Sequence, residues 1–309
     1  MFWLIETNKQ LKEFKSKEFK KVFIEPLYSN DNLHPFKRGI VAFYIREINY
    51  KKGFIINLNH SEATWCDLDK VYELIGGFEE IFVRDRKEFL HIVPLKQLSD
   101  IYFISPTDIP DPSPCHEFFY RKYPHIGNIG AIIPIVKQYE HYETVFNACK
   151  HVFTMDKPQH FNFYNNKATN VFWWIEQEGI KTNPLKFEEH FGVAHECAYT
   201  QFNLKTTTTR PSNSFGGINY AALDKKSGCR ESFIPSNDFL LEIDISAYHP
   251  TLAAQLVDYE FEEEDIHQAF ADMYGVDYKK AKELTFKQLY GGVFKEYKDL
   301  EFFKRVEAY

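Results

Sequence analysis

The sequence predicts a multidomain chain, an α/β domain followed by an α+β region. Three observations carry that expectation. A length of 309 residues suits about two domains, each able to bury its own core. Roughly the first hundred residues alternate apolar runs with charged helical stretches in the order strand, strand, strand, helix, strand. Residues 239–292 then set an apolar run ending on a carboxylate ahead of a helix whose one face mixes a cation with aromatic rings.

Composition narrows the class. Hydrophobic residues make up 44% and charged residues 26%, so the chain is globular rather than disordered. With 30 Phe and 19 Tyr, its cores are expected to be aromatic. A net charge of −7 argues against a protein that coats nucleic acid without regard to sequence, though not against a local groove. Lysines gather at 9–21 and 279–304, and residues 258–265 are acidic. The five cysteines, at 66, 115, 149, 197 and 229, are odd in number and far apart, which reads as reduced core thiols in a cytoplasmic protein. The opening MFWLIETNKQL is too short and lacks the basic leader of a signal peptide. No run reaches membrane-spanning length, so no membrane partner is expected.

Residues 7–20 read as a charged helix with Leu11, Phe14 and Phe19 inward. Strands are expected at 21–25, 39–47 and 53–59, a three-stranded meander. A helix at 67–74, a strand at 80–84, a helix at 86–90 and a strand at 101–104 follow. Residues 108–130 are rich in Pro and Gly and read as a loop. Helical periodicity returns over 132–152, and the polar, aromatic stretch 157–167 marks a domain boundary, giving 1–156 and 157–309. Residues 168–191 read as two helices joined at Gly179, which suits a helix C-terminus. Trp173 and Trp174 read as core residues.

Residues 239–245 (FLLEIDI) read as a buried strand delivering Asp244 at its end. A buried carboxylate needs a neutralising cation, and a divalent metal supplies one. Tyr278, Lys282, Phe286 and Tyr290 stand four apart and share one helix face. That face meets Gly291-Gly292, where a backbone can approach a ligand. A cation for phosphate with rings to stack on a base suits a nucleotide. Two plainer readings stand beside these: Asp244 as a turn cap, and the stripe as a core face whose lysine reaches its charge to water.

Taken in order, these segments resemble the family A (Pol I-type) DNA polymerases, in their small, phage-like form. EIDISAYHP (242–250) resembles motif A and DIH (265–267) the segment before the fingers helix. Lys282-x3-Phe286-x3-Tyr290-Gly291 resembles motif B. TTTTRPSNSFGGINYAAL (206–223) resembles the T-G-R-x-S segment and the asparagine-bearing segment after it. The matches cover roughly residues 170–295. The resemblance implies a ribonuclease H-like 3′–5′ exonuclease-type domain followed by a partial right-hand polymerase domain: the start of the palm, a minimal thumb and the first part of the fingers. The thumb is called minimal because only residues 192–205 stand where larger members carry it.

The implied reaction is template-directed addition of a dNTP to a primer 3′-OH with two Mg²⁺ ions. Asp244 and the carbonyl of Ile245 would be metal ligands, with Asp244 catalytic. His249 stands where most members have a Glu that excludes the ribose 2′-OH. His267 would contact the phosphates, Lys282 would neutralise the triphosphate, Phe286 would stack near sugar and base, and Tyr290 with Gly291 would face the template. Tyr278 stands where the family has an Arg, with Lys279 or Lys280 as substitutes. Arg210, Asn213 and Asn219 would face primer-template DNA, Thr209 replacing the family's Gly; the plainer reading makes them turn and loop residues. Arg230 stands near the family's active site, or serves a structural ion pair.

On the exonuclease side, Glu25 holds the first position of the family's D-x-E, Glu143 follows Tyr139 in Y-x3-D, and residues 85–89 offer no match to the second motif. The expectation is a degenerate domain without nuclease activity, kept as a platform; the alternative is an unrelated small α/β domain. No His-Asp pair of motif C follows Gly291. The chain is therefore expected to need a second polymerase subunit carrying motif C, through a split gene or as part of a longer polymerase. If phage-encoded, it would work in the bacterial host cytoplasm. Two other classes are a binding module on primer-template DNA and a nuclease using Glu25 and Glu143.

Overall fold

The structure is a computed structural model that describes residues 3–15, 17–30, 33–106, 121–123, 125–206, 210–213 and 215–309. Thr209, Cys115 and most of the loop expected at 108–130 lie outside the described residues. The chain divides into two compact units, Met1–Phe239 and Leu240–Tyr309. The boundary read at 156/157 falls inside the first unit.

The first unit is built on a six-stranded mixed sheet ordered β1-β4-β3-β2-β5-β6. Its strands are β1 (Trp3–Ile5), β2 (Lys21–Tyr28), β3 (Ile40–Glu47), β4 (Phe54–Asn57), β5 (Glu80–Val83) and β6 (Leu98–Asp100). β2, β3 and β4 are the antiparallel meander, and β5 joins β2 in parallel. β2 runs past the expected end at Glu25 and through Pro26. The β5 ladder covers only Lys21–Phe23, so beyond it one side of β2 carries no ladder, and a proline is tolerated there.

Side-chain alternation along β2 makes two apolar layers. Val22 and Ile24 pack with Phe14 of α1 (Asn8–Lys15), Val71 and Ile75 of α2 (Leu68–Gly76) and Phe89 of α3 (Arg86–Leu90). Phe23 and Leu27 pack on the other face with Tyr142, Phe146 and Cys149 of α5 (Ile135–Cys149). α1 is shorter than the helix expected over 7–20; Phe19 lies beyond it and meets the edge of Phe14 at 5.4 Å.

Residues 101–104 are a helical turn, α4 (Ile101–Ile104), rather than the expected strand. Four apolar residues suit either state, and the cap decides: Asp100 accepts from Tyr102 N at 3.0 Å. α6 (Thr169–Glu178) ends at Gly179, as expected, and the positive φ of 64° there is one that glycine adopts without strain. Trp173 packs on the first layer, whereas Trp174 is 58% exposed, against the core reading.

The second unit is helical: α7 (Tyr248–Leu256), α8 (Ile266–Tyr274), α9 (Tyr278–Gly291) and α10 (Glu301–Ala308). They enclose Phe270, Tyr274, Ala281, Phe302 and Phe303. Residues 239–245 are not the expected buried strand. They form no helix, strand or turn and are exposed, with no backbone hydrogen bond to any described residue. An apolar run becomes a strand only where a neighbour offers a ladder, and no described strand does so here.

Candidate functional site

The second unit separates the two readings of the α9 stripe. Asp277 caps the helix by accepting from Lys280 N at 3.1 Å, and this sets the rotation of every later side chain. The face turned to the core is Ala281, Thr285 and Gln288. Thr285 Oγ1 lies 3.2 Å from Tyr274 Oη, and Gln288 accepts from Phe294 N at 3.3 Å. Tyr278, Lys282 and Tyr290 are exposed and Phe286 is half-buried. The predicted stripe is thus the face left open, and the core-face reading of it is overturned.

Rings from three helices meet on that face. Phe286 and Tyr290 lie nearly parallel, 5° between planes and 6.3 Å between centroids. His249, at the start of α7, stands edge-on to both, at 6.4 and 5.6 Å. His267, at the start of α8, lies 6.3 Å from Phe286 and 5.9 Å from Tyr278. Asp265 caps α8 by accepting from His267 N at 2.9 Å and so fixes where the ring enters. His267 is buried, and its Nδ1 has no hydrogen-bond partner among the described residues. Burial lowers its proton affinity and the Lys282 charge lowers it further, with Asp265 opposing. A buried ring nitrogen left without a partner is costly, and a ligand is one way to satisfy it. His249, His267, Lys282, Phe286 and Tyr290 therefore form one group. Gly291 closes α9 and is exposed.

Asp244 and Ile245 lie in the segment just before α7. Both are exposed, and Asp244 makes no hydrogen bond or ion pair with any described residue. No three His, Cys, Asp or Glu side chains among the described residues gather in a way that could hold a metal ion. Two Mg²⁺ ions require more carboxylates than Asp244 alone, so the residues described here do not fit that pair by themselves.

In the first unit, Asn213 and Asn219 converge on one donor, Ala221 N, at 3.0 and 3.2 Å. Arg230 folds its head onto the Leu223 carbonyl at 3.1 Å and makes no ion pair there. Arg210 is exposed, and its carbonyl accepts from Thr206 Oγ1 at 2.8 Å. The asparagines and Arg230 thus hold local turns, and Arg210 is an exposed residue.

The exonuclease-position carboxylates are both committed inside the fold. Glu25 points into the layer beneath α5, is fully buried, and accepts from Arg84 Nε at 2.7 Å. Burial raises its proton affinity beyond what Arg84 takes away. Glu143 accepts from Tyr44 Oη and Gly53 N, each at 2.8 Å, and pairs with Arg46. Further carboxylates form a network that the sequence reading missed. Lys205 Nζ lies 3.4 Å from Asp85 and 3.3 Å from Asp100 and donates to the Arg84 carbonyl. Burial pushes both acids up. The Lys205 and Lys87 charges hold Asp85 below the usual range even so, while Asp85 itself helps keep Asp100 above it. Glu176, buried on α6, accepts from Lys87 at 2.7 Å, His91 at 2.9 Å and Phe202 N at 2.6 Å. The signal was available: Asp85 stands just past the end of β5 and Asp100 at the end of β6.

Comparison with known proteins bears on the fold alone. The structure is similar to the polymerase domain of Pol1 from M. smegmatis in complex with DNA primer-template and dNTP. That likeness has a TM-score of 0.61 at 10% identity and covers 99% of this chain and 75% of that one. The chain therefore has a polymerase-like fold. Escherichia coli RNase D, an exoribonuclease, is matched at TM-score 0.31 and 9% identity over 57% of this chain and 47% of its own. The Aedes aegypti Nibbler EXO domain is matched at 0.29 and 7% over 53% and 95%. Both likenesses are too slight to carry an argument. No protein-family model and no curated protein matches the chain. Among the described residues, no helix is long and apolar enough to cross a membrane.

Proposed function

We propose that this chain is a subunit of a family A-like, DNA-directed DNA polymerase. It adds dNTPs to a primer 3′-OH together with a second polypeptide that supplies the carboxylates missing beside Asp244. The observation that carries this reading is the open face of α9 within a polymerase-like fold. That face holds a free cation, two near-parallel rings and a buried histidine with an unpartnered nitrogen. Lys282 would hold the triphosphate, being a cation with no partner of its own among the described residues. Phe286 would stack near the sugar and base, and Tyr290 would stand towards the template. His267, kept neutral by burial and by Lys282, would give or accept one hydrogen bond at the phosphates without adding charge. His249, edge-on to both rings, would set the width of the sugar pocket. In the reaction the primer oxygen bonds to the α-phosphate as pyrophosphate leaves.

Arg210 is the group in the first unit best suited to the duplex. The degenerate exonuclease positions support a platform role without nuclease activity, since Glu25 and Glu143 already have protein partners. The work belongs in the cytoplasm; Asp244 and the carbonyl of Ile245 would hold Mg²⁺ only together with the carboxylates the second polypeptide supplies, and the ions would then activate the primer hydroxyl. The test is primer extension by the natively isolated assembly, comparing wild type with Asp244→Asn. Loss of extension with retained DNA binding supports the reading. Normal extension by the variant refutes it. Should the wild-type assembly bind primer-template DNA and extend nothing, a binding module is the better description.

A further inference from the structure

Residues 239–245 leave five large apolar side chains exposed. Phe239, Leu240, Leu241, Ile243 and Ile245 are 68, 61, 73, 83 and 62% exposed. Five large apolar side chains in one exposed run are not the scattered single residues of an ordinary surface. The backbone is equally open, since no N–H or C=O of the run is bonded to a described residue. Successive side chains of an extended segment point to opposite faces. Paired as a strand, the run would put Leu241, Ile243 and Ile245 on one face, and Leu240, Glu242 and Asp244 on the other. α7 continues the pattern: Tyr248, Leu252 and Leu256, four apart on one helix face, are 50, 40 and 52% exposed.

We propose that 240–245 is a docking strand to which a different polypeptide adds a strand of its own. The proposal rests on the polymerase reading above and deepens it by saying where the second polypeptide binds. Two features define the occupant. Free backbone donors and acceptors along an extended run are met by a strand ladder, as in β-strand addition. The alternating face asks for apolar side chains beside Leu241, Ile243 and Ile245. Charge argues against a second copy of this chain. Antiparallel self-pairing centred on Ile243 puts Glu242 opposite Asp244 in both directions. Centring on Glu242 or Asp244 puts each acid opposite itself, and like charges directly opposite destabilise a strand pair. The added strand therefore presents neutral or basic side chains opposite Glu242.

The experiment is hydrogen exchange at 240–245 on the full chain alone and on the assembly isolated natively through a tag on this chain. Leu241→Pro, which cannot donate to a ladder, Ile243→Lys and a distant control, Leu185→Lys, are carried through the same isolation. Amides of 240–245 are expected to exchange at least about tenfold slower in the assembly. Both strand variants are expected to lose the second chain and primer extension, while the control keeps both. Two strand variants of different kind guard against one of them misfolding. If the second chain and extension survive both variants with 240–245 unprotected, docking lies elsewhere; this inference falls and the polymerase reading stands. If a dimer of this chain alone protects 240–245, the occupant is a second copy and the inference falls. If the chain is isolated as an unprotected monomer, the inference and the two-polypeptide reading fall together.

Discussion

In Met1–Phe239, the carboxylates of Glu25, Asp85, Asp100, Glu143 and Glu176 each meet a lysine, an arginine or a histidine of the same unit. In Leu240–Tyr309, Asp244 and Lys282 are exposed and pair with no described residue. The first pattern is charge used to build. Each buried acid is paired because an unpaired one would cost several kcal/mol. The second pattern has no structural purpose inside the fold, and such groups are the ones a ligand or partner can use. A carboxylate beside an apolar run means opposite things in the two units, and only its partners say which.

The largest expected effect is at Glu176. Glu176→Ala strands Lys87 and His91 in a buried site, and chemical denaturation should show a loss of about 3–5 kcal/mol. A loss under 1 kcal/mol would break the claim that the first unit's charges are structural. Glu25→Ala should follow, by about 3 kcal/mol, because Arg84 loses its buried partner. The double change Glu25→Met with Arg84→Met should recover most of that.

Lys282→Ala should leave the melting temperature unchanged and raise the KM for dNTP about 10- to 100-fold in primer extension by the assembly, the cost of one charge-assisted contact. A fall in melting temperature with unchanged KM would assign Lys282 to the fold. The smallest effect is at His267. Its folded pKa lies below the ordinary 6.5, so below pH 6.5 the unfolded chain binds the proton more readily. The stability this contributes is complete above pH 6.5 and is lost as pH falls from 6.5 through the folded value. Stability measured from pH 7.5 down to 5 should show that loss, and His267→Gln should flatten it.

Much of this was legible in the sequence. The meander of β2, β3 and β4, the helix end at Gly179 and the shared face of Tyr278, Lys282, Phe286 and Tyr290 follow from local patterns of spacing, while His249 and His267 joined that group only through the family resemblance. What was not legible depended on distant partners. Whether 101–104 is strand or helix hung on one cap. Residues 239–245 have strand composition and no strand beside them. Asp85, Asp100 and Glu176 owe their state to Lys205, Lys87 and His91, from other elements of the unit. Charge pairing at long range leaves no periodic trace in a chain.

The central claim is that the paired acids of the first unit serve the fold, while Asp244 and Lys282 of the second serve the proposed chemistry. The measurement that tests it most directly is a paired one, melting temperature and primer extension on Asp244→Asn and Glu25→Ala within the same native assembly. The account predicts that Asp244→Asn loses extension on the order of 10³-fold with its melting temperature intact, and that Glu25→Ala loses several degrees. An Asp244→Asn variant that extends primers normally, or that melts as early as Glu25→Ala, would contradict it.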